Sequence, residues 1–560
     1  MAVLTMKFNC LRRLALVSIV SSLVGCSESE SLSLSERSII YCSEGSPETF
    51  NPQLSTSGTT SDATSRLLYN NLITYKEDNT LGPSIAKSWH VTRDGKKITF
   101  YLRNDIPFHQ TSYFTPTRNL NADDVLFSFN RILDKTHEYH DVSGGSYPFF
   151  QSVKFPELVE RVEKINDYTV RFVIKRNNSS FLANLATDYA IILSKEYAEQ
   201  LIPTNSHHEI DIFPVGTGPF LLKDYRVGSL IRFYRHDSYW QEKAKIEQLV
   251  YDISPSKTTR LTKLLAKECD VSSYPIAHAK ISERNDLQLE SVTSLNVGYF
   301  GFNTKKPPFD NKLVRQAVSL AINKQAIIDT VYRSQAARAK SILPETSWAY
   351  DKNTPEDIYD PIRAKSLLEI AGYAQGFDMD IWAMPVQRAY NPNAVTMAKL
   401  IQADLKKIGV KVKIISYEWS TFLRRLSLGE HQSFLLGWSA DHPDPDNFFT
   451  PMLSCSQSKT VNNRTFWCNK EYDQLLQDAL ETTSMKKRKQ YYAKAMAIIN
   501  EEVPLLPIAH SKRFQARDTN VQGKILANFG GISFHHVSKV PPTATSESQS
   551  DEASAQEVDQ

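Results

Sequence analysis

The sequence predicts an α/β protein with two or three lobes. Its 560 residues are more than one hydrophobic core usually serves. The clearest α/β unit covers residues 393–415, where an amphipathic helix ends at Gly409 and an alternating strand follows. The apolar positions of this helix and strand are Met397, Leu400, Ile401, Leu405, Ile408, Val410, Val412 and Ile414. The same helix–strand alternation is predicted at 313–332 and 360–383, and we detect no internal repeat.

Shorter segments supply further strands and a helix. Runs rich in β-branched and aromatic residues predict strands at 37–42, 97–103, 168–174, 229–235 and 247–253. The segment Asn121-Ala-Asp-Asp-Val125 opens a helix whose apolar positions are Phe127, Phe129 and Ile132. A turn rich in glycine and proline at 214–220 separates this helix from the last two strands.

The N-terminus has the pattern of an export signal. Lys7, Arg12 and Arg13 precede an apolar run over 14–24 that is too short for a permanent transmembrane helix. The run ends in Leu23-Val-Gly-Cys26, which resembles a bacterial lipobox. We therefore predict a signal over 1–25, acylation of Cys26 and a tether over 26–36; the alternative is an ordinary signal without acylation.

Composition and charge indicate a globular protein without general affinity for nucleic acid. Hydrophobic residues make up 41% of the chain and charged residues 23%. Residues 1–25 hold three basic and no acidic side chains, so removing them lowers the formal charge from +3 to 0. A neutral chain does not attract a polyanion. Residues 541–560 hold five acids and no base, which predicts a disordered acidic tail.

Four cysteines remain once Cys10 and Cys26 are assigned to the N-terminal signal. Export favours two disulfides, and Cys42, Cys269, Cys455 and Cys468 allow three pairings. We favour Cys42–Cys269, which would join the first strand to a distant segment, and Cys455–Cys468, which would close a short loop. Zinc is the alternative, but no Cys-x-x-Cys motif is present.

The sequence offers no catalytic or metal-binding constellation. His137 and His140 lack the spacing of a zinc-protease motif, and the glycine-rich segments lack a phosphate-binding lysine. Asp441, Asp444 and Asp446 alternate with prolines, which favours a rigid turn over a calcium loop. No nucleophile elbow or triad order is present. We expect no enzyme activity, no metal site and no resident cofactor.

Several segments, in order along the chain, resemble the bacterial dipeptide- and oligopeptide-binding proteins of ABC transporters, solute-binding family 5. They are Tyr41–Gln53 with Thr56–Thr60, Ala86–His90 with Asp94–Arg103, Asn121–Val125, Pro214–Phe220, Trp382–Arg388 and Gly437–Phe449. Two branches of the family compete. Met384–Asn393 is similar to the dipeptide- and haem-binding branch, whereas 114–118, 226–232, 236–240 and 342–350 look more like the Sap-type proteins. We favour the Sap type, which is associated with antimicrobial peptides.

The resemblance implies a periplasmic-binding-protein type II-like fold. Two large lobes and an extra domain would form a clamshell with a central cleft. Domain I would be discontinuous and comprise 37–74, 213–296 and 512–540. Domain II would cover 75–212 and domain III 297–511. The Cys42–Cys269 disulfide would then lie inside domain I.

The resemblance also implies a binding site for a peptide zwitterion. Asp441 would bind the ammonium and Arg388 the carboxylate, because a guanidinium can bind both carboxylate oxygens. Trp382, Trp419, Tyr147, Tyr390 and Trp438 are candidate cleft aromatics, and we favour Tyr390 and Trp438. Backbone groups of Thr56, Ser57 and Gly58, in a predicted loop, could pair with the ligand's peptide groups.

The implied function is capture of peptides in the periplasm and delivery to an ABC permease in the inner membrane. We expect a monomer that is anchored to a membrane through lipid on Cys26. The alternative is a dipeptide- or haem-binding protein on the same scaffold, with haem as transported ligand.

Overall fold

The computed structural model describes residue 34 and residues 37–355, 358–459 and 462–540. The predicted signal, Cys26, nearly all of the tether and the acidic tail lie outside the described residues. Within the described part of the chain, no helix is long and apolar enough to cross a membrane.

The strands and helices of the described residues follow one another along the whole chain. The strands are β1 Ser38–Ser43, β2 Ile73–Tyr75, β3 Leu81–Pro83, β4 Ala86–Val91, β5 Lys97–Leu102, β6 Val159–Asn166, β7 Thr169–Ile174, β8 Phe220–Arg226, β9 Leu230–Arg235, β10 Gln248–Ile253, β11 Val271–Ser273, β12 Leu287–Thr293, β13 Asn296–Phe302, β14 Ala336–Arg338, β15 Asp378–Ala383, β16 Lys411–Ile415, β17 Ser433–Ser439, β18 Leu505–Asp518, β19 Val521–Gln522 and β20 Ser538–Lys539. The α-helices are α1 Gly58–Leu68, α2 Ala122–Leu133, α3 Pro148–Ser152, α4 Phe155–Leu158, α5 Phe181–Leu185, α6 Lys195–Leu201, α7 Lys257–Leu265, α8 His278–Ser282, α9 Lys312–Leu320, α10 Lys324–Val331, α11 Pro361–Ile370, α12 Ala394–Lys406, α13 Trp419–Ser427, α14 Asp446–Leu453, α15 Lys470–Glu481 and α16 Met485–Glu502. Short 3₁₀ turns occupy Pro52–Leu54, His207–Asp211 and Cys455–Lys459.

A large mixed sheet forms the centre of the molecule. Its strand order is β16-β15-β17-β13-β18-β11-β1-β10-β9-β8, and β12 and β14 also pair with β18. The 14-residue strand β18 runs through both halves: its first residues pair with β13 and its last with β11 and β12. The predicted boundary between residues 511 and 512 therefore falls inside one continuous strand.

A second, four-stranded antiparallel sheet, β4-β5-β7-β6, lies within the predicted domain II. Helix α2 packs against it and begins as the sequence predicts. The Asn121 side chain accepts a hydrogen bond from the backbone of Asp123, and the Asp124 carboxylate accepts one from the backbone of Asn121. This capping box satisfies backbone donors at the start of the helix.

Buried apolar side chains form two large clusters. The first core contains residues between 39 and 271 together with residues between 521 and 537, and so covers the predicted domains I and II. The second core contains residues between 295 and 509 together with Phe529. The two cores meet along β18, which is where a cleft between two lobes is expected.

Local predictions from the sequence agree with these elements to within one residue for all five strands. The unit at 393–415 is α12 followed by β16, with Gly409 at a positive φ of 83° between them. The prediction of helix–strand alternation at 313–332 is wrong, because the segment contains α9 and α10 and no strand. Asn323 caps α10 by accepting a hydrogen bond from the backbone of Ala326, so a second helix starts where a strand was expected.

Both predicted disulfides are present. Cys42 of β1 is bonded to Cys269, which lies two residues before the start of β11, with 5.9 Å between their Cα atoms. Cys455 is bonded to Cys468 with 4.4 Å between Cα atoms. The first bond joins segments whose strands, β1 and β11, also pair in parallel in the central sheet.

Candidate functional site

The two predicted charged anchors follow neighbouring parallel strands. β15 and β17 pair in parallel, so their carboxyl ends meet at one edge of the sheet. Arg388 lies five residues after β15 ends at Ala383, and Asp441 lies two residues after β17 ends at Ser439. The topology thus places both side chains at one sheet edge of the second core.

Asp441 is a half-buried carboxyl without an ionic partner. The Tyr189 hydroxyl donates to its Oδ1 at 3.1 Å, and Asn447 Nδ2 donates to its Oδ2 at 3.3 Å. No ion pair joins Asp441 to any residue that the structure describes. Burial raises the pKa of Asp441 to about 7, although the two hydrogen bonds oppose the shift.

The neighbours of Asp441 hold it in place. Asn447 Oδ1 accepts hydrogen bonds from the Asp441 backbone at 2.9 Å and from the Trp438 indole at 3.3 Å. Tyr189 belongs to the first core, whereas Asp441 follows a strand of the second, so their contact crosses the cleft. Sequence reasoning missed Tyr189 because it lies 252 residues from Asp441 and in no motif that marks it.

Arg388 is held by its backbone and by an aromatic ring, and it has no carboxylate partner among the described residues. Its guanidinium carbon lies 5.8 Å from the Trp419 ring centroid, and its Nη1 donates to the Gln387 carbonyl at 3.0 Å. The Arg388 backbone N–H donates to the Asn391 carbonyl, and the Asn391 N–H donates to the Arg388 carbonyl, both at 3.1 Å. These two bonds close a tight turn.

Acidic and phenolic groups from both cores shift the pKa of Arg388. Burial acts to lower the pKa of Arg388, but Tyr274, Tyr390 and the carboxyl groups of Glu44 and Asp62 outweigh it and raise the pKa. Glu44, Asp62 and Tyr274 were not among the predicted site residues. Glu44 directly follows β1 and Tyr274 directly follows β11, the two paired parallel strands of the first core.

Tyr390 packs against glycines of two adjacent strands. A Cβ at Gly437 would lie 2.1 Å from Cδ2 of the Tyr390 ring, and a Cβ at Gly298 would lie 2.2 Å from the Tyr390 carbonyl oxygen. The Tyr332 hydroxyl donates to that carbonyl at 2.7 Å. Glycine at these two positions allows Tyr390 to lie directly on the sheet, next to Arg388.

Of the three other candidate aromatics, two are buried in the cores and one lies against Arg388. Trp382, which was not one of the two favoured aromatics, is 2% exposed and packs in the second core against Tyr417 and His431. Tyr147 is also 2% exposed, and its hydroxyl accepts from the buried Arg131. Tyr147 thus belongs to the first core and Trp382 to the second. Trp419 is half-buried and lies below Arg388.

The predicted Thr56–Gly58 loop is partly helix. Thr56 is exposed, Ser57 is the N-cap of α1 and Gly58 is its first residue. The Ser57 side chain does not cap the helix; its hydroxyl lies 2.8 Å from that of Thr59. The Ser57 carbonyl accepts from Ser61, so it is engaged within the helix.

The acidic turn after β17 is held by side-chain contacts, which is consistent with the rigid turn that the sequence predicts. Asp444 forms an ion pair with Arg488, with two contacts of 2.8 Å, and both side chains are at most 10% exposed. Asp446 accepts a hydrogen bond from Thr450 at 2.6 Å. Across the described residues, no three His, Cys, Asp or Glu side chains come together as a metal site.

Comparison with known proteins identifies the family. The model of the bacterial extracellular solute-binding proteins, family 5 Middle, matches residues 80–460. The chain belongs to family 5 of the bacterial extracellular solute-binding proteins.

The family 5 relatives span nearly the whole chain. The dipeptide-binding protein of Escherichia coli is 45% identical over 90% of this chain and 95% of its own length. Heme-binding protein A of Haemophilus influenzae is 42% identical over 91% of this chain and 94% of its own length. The peptide transport periplasmic protein SapA of Salmonella typhimurium is 40% identical over 91% of this chain and 94% of its own length.

A solved structure confirms the fold class. The dipeptide-binding protein of Pseudoalteromonas sp. SM9913, in complex with Met-Leu, has a TM-score of 0.86 and 49% identity, and the match covers 90% of this chain and all of that chain. The fold is that of the type II-like periplasmic binding proteins.

Proposed function

We propose that this family 5 protein captures short peptides in the periplasm and delivers them to an ABC permease. The observation that carries the proposal is Asp441: a half-buried carboxyl at the cleft, hydrogen-bonded across it by Tyr189 and without an ionic partner among the described residues. Such a group is stabilised when a cation reaches it. The α-ammonium of a peptide is a cation of suitable size.

A peptide zwitterion carries an ammonium and a carboxylate, so its site needs one anionic and one cationic side chain at a fixed separation. Arg388 offers a guanidinium without a carboxylate partner in the described residues, at the same sheet edge as Asp441. Binding of the ligand carboxylate to Arg388 would give both the carboxylate and the guanidinium an ionic partner. Because both anchors lie on one core, their separation selects for the distance between the ligand's charged ends rather than for its side chains. Tyr390 and Trp438 flank the anchors and offer apolar contact.

Closing of the cleft would bring the first core into contact with the Asp441 site. Three hydrogen bonds join residues 180–189 to the second core: Tyr189 to Asp441, His442 to Asn184 and Arg488 to Ser180. A ligand that neutralises Asp441 favours the state in which these contacts exist, because that state removes the carboxyl from water.

Calorimetry with a dipeptide tests the proposal. Native mass spectrometry of the purified protein should show bound peptide, and Met-Leu should bind the stripped protein. Asp441→Asn and Arg388→Gln should each weaken binding at least tenfold, since each leaves a ligand charge unpaired. The matched controls Asp478→Asn and Arg161→Gln change surface side chains and should bind as wild type. Absence of both bound peptide and heat on titration would refute the proposal.

Dipeptides and related short peptides are the ligand class that we propose first. The chain is 45% identical to the Escherichia coli dipeptide-binding protein and 40% identical to SapA of Salmonella typhimurium. The Sap-type role, with antimicrobial peptides as ligands, stays a prediction. It is tested by the same calorimetry with a cationic antimicrobial peptide, which should compete with Met-Leu for Asp441 if the role applies.

Haem is the second candidate ligand, supported by the 42% identity to heme-binding protein A of Haemophilus influenzae. An absorbance titration separates the two, because a shifted Soret band that is unchanged in Asp441→Asn indicates haem. The domain boundaries, the monomeric state, the lipid anchor on Cys26 and the absence of catalysis stay part of the proposal. Radiolabelled palmitate incorporation into wild type but not Cys26→Ala tests the anchor.

A further inference from the structure

Glu44 and Tyr274 lie together at one sheet edge of the first core. They are the first residues after β1 and β11, which are parallel neighbours in the central sheet. Antiparallel pairing of β11 with β18 places Tyr274 beside the part of β18 that leads to its middle. There Ser511 donates to the carbonyl of Ala389 at 2.6 Å. The sheet therefore brings Glu44 and Tyr274 close to the residue that follows Arg388.

Glu44 is a carboxyl with one hydrogen bond and no ion pair among the described residues. Its Oε2 accepts from the Ser273 hydroxyl at 2.9 Å, and its Oε1 accepts from no residue that the structure describes. Burial lowers the pKa of Arg260 and Glu44 acts against that shift, but the two form no ion pair. The Arg260 guanidinium instead donates to three backbone carbonyls, those of Ser254, Pro255 and Ser273. Glu44 is half-buried, so its second oxygen stays accessible.

Tyr274 adds an aromatic ring and an unused hydroxyl beside Glu44. Its side chain is half-buried, and its hydroxyl makes no hydrogen bond to any described residue. Burial and, to a smaller degree, Glu44 raise the pKa of Tyr274 to about 12, whereas Arg388 and Arg513 act to lower it. Its backbone has a φ of 42°, in the left-handed region that is uncommon for residues other than glycine. A carboxyl next to an aromatic ring is a favourable environment for a cation.

The charges around the cleft leave Glu44 without a partner once a dipeptide is bound. Asp441 and Arg388 pair with the two ends of the ligand. Asp62 is 8% exposed, and although burial raises its pKa, the positive charge of Arg513 acts against that shift. With the ligand carboxylate at Arg388, Glu44 faces a second negative charge. A cation on the ligand side chain would offset this repulsion.

We propose that Glu44, with Tyr274 beside it, forms a subsite for a basic side chain on the C-terminal residue of a dipeptide. The inference rests on the proposed function of the Asp441–Arg388 site. Arg388 holds the carboxylate of that residue, so the residue's side chain lies near the groups that surround Arg388. Against the effect of burial, Tyr274 and Glu44 act to raise the pKa of Arg388. The lysine ammonium pairs with the free Oε1 of Glu44, and the cleft favours dipeptides that end in lysine or arginine.

Calorimetry on wild type with three dipeptides tests the subsite: Met-Lys, Met-norleucine and Met-Nε-acetyllysine. Norleucine has the carbon chain of lysine without the ammonium, and acetylation removes the charge while keeping the nitrogen. Wild type should bind Met-Lys about tenfold more tightly than either of the other two. Equal affinities for the three dipeptides would overturn the proposal. Because this comparison needs no variant, it does not depend on how a substitution affects folding.

Two variants assign the preference to the named residues. Glu44→Gln removes the charge and keeps an oxygen that can accept from Ser273, so it should weaken Met-Lys about tenfold and leave Met-norleucine within twofold of wild type. Tyr274→Leu removes the ring and should reduce the preference for Met-Lys over Met-norleucine about threefold. Glu369→Gln, at an exposed position of α11, is the matched control and should bind both as wild type. A preference that persists unchanged in either site variant, with an unchanged melting temperature, would overturn the subsite.

Failure of the subsite is distinguishable from failure of the proposed function. If Met-Leu and Met-norleucine bind wild type as tightly as Met-Lys, the subsite is refuted and the function stands. If none of these dipeptides binds wild type, the proposed function is refuted as well.

Discussion

The affinity for dipeptides should fall steeply with acidification, because Asp441 must lose a proton before it can pair with an ammonium. Burial raises the pKa of Asp441 to about 7 in the free protein. A bound ammonium stabilises the carboxylate and lowers that pKa in the complex. The raised pKa belongs to the free state, so protons bind the free protein more than the complex, and affinity is lost as pH falls below 7.

The magnitude follows from the ionised fraction of Asp441. With a pKa of about 7, about half of the carboxyl is ionised at pH 7 and about 1% at pH 5. The dissociation constant should therefore rise about 50-fold between these values, or about 2.3 kcal/mol. The α-amino group of the ligand, with a pKa of about 8, stays protonated throughout this range.

Isothermal calorimetry with Met-Leu at half-unit intervals from pH 5 to pH 7 measures this slope. Titration in buffers of different ionisation enthalpy should also show release of about 0.9 proton per peptide at pH 6. Asp441→Asn should abolish the slope and the proton release. An affinity that is constant from pH 7 to pH 5 would refute the reasoning. A slope that persists in Asp441→Asn would assign the titration to another carboxyl, such as Asp62, whose pKa burial also raises to about 7.

Three further predictions concern packing and stability. Gly437→Ala places a methyl group 2.1 Å from the Tyr390 ring and should weaken dipeptide binding about tenfold in calorimetry; binding within twofold of wild type would contradict this. Arg488→Met leaves the carboxylate of Asp444 buried without its partner and should lower the free energy of unfolding by about 3–5 kcal/mol in urea denaturation; a loss below 1 kcal/mol would contradict this. Burial, with a smaller effect of His236, lowers the pKa of His109 to about 3, so the imidazole contributes stability above pH 6.5 that is lost as pH falls towards 3. Relative to His109→Gln, wild type should lose up to about 1.4 kcal/mol per pH unit between pH 6 and pH 4, and parallel curves for the two proteins would contradict this.

The sequence predicts those parts of the fold that local forces decide. Strands β1, β5, β7, β9 and β10 lie within one residue of their predicted limits because runs of β-branched and aromatic residues favour an extended backbone wherever they pack. Gly409 ends α12 because the positive φ that the chain needs there suits glycine. The helix–strand expectation at 313–332 fails because a polar cap, Asn323, is a stronger local signal than the apolar pattern after it.

Only the part of the candidate site that lies on the second core can be predicted from the sequence. Asp441 and Arg388 follow parallel strands of one sheet, so motifs near each strand end mark them. Tyr189, Glu44 and Tyr274 come from the first core and reach the site through the arrangement of the two cores, which no local pattern encodes. Trp382 shows that an aromatic residue beside a motif is not thereby part of the site, since it is buried in the second core.

Strand β18 has a mechanical consequence for ligand binding. Near its middle, Ser511 exchanges hydrogen bonds with Asn296, the first residue of β13: Ser511 N donates to Asn296 Oδ1 at 3.0 Å, and Asn296 Nδ2 donates to the Ser511 carbonyl at 3.1 Å. The Ser511 hydroxyl donates to the carbonyl of Ala389 at 2.6 Å. These bonds tie the middle of the strand that joins the two cores to the residue beside Arg388. We therefore expect the affinity of Arg388 for a peptide carboxylate to depend on the angle between the two cores.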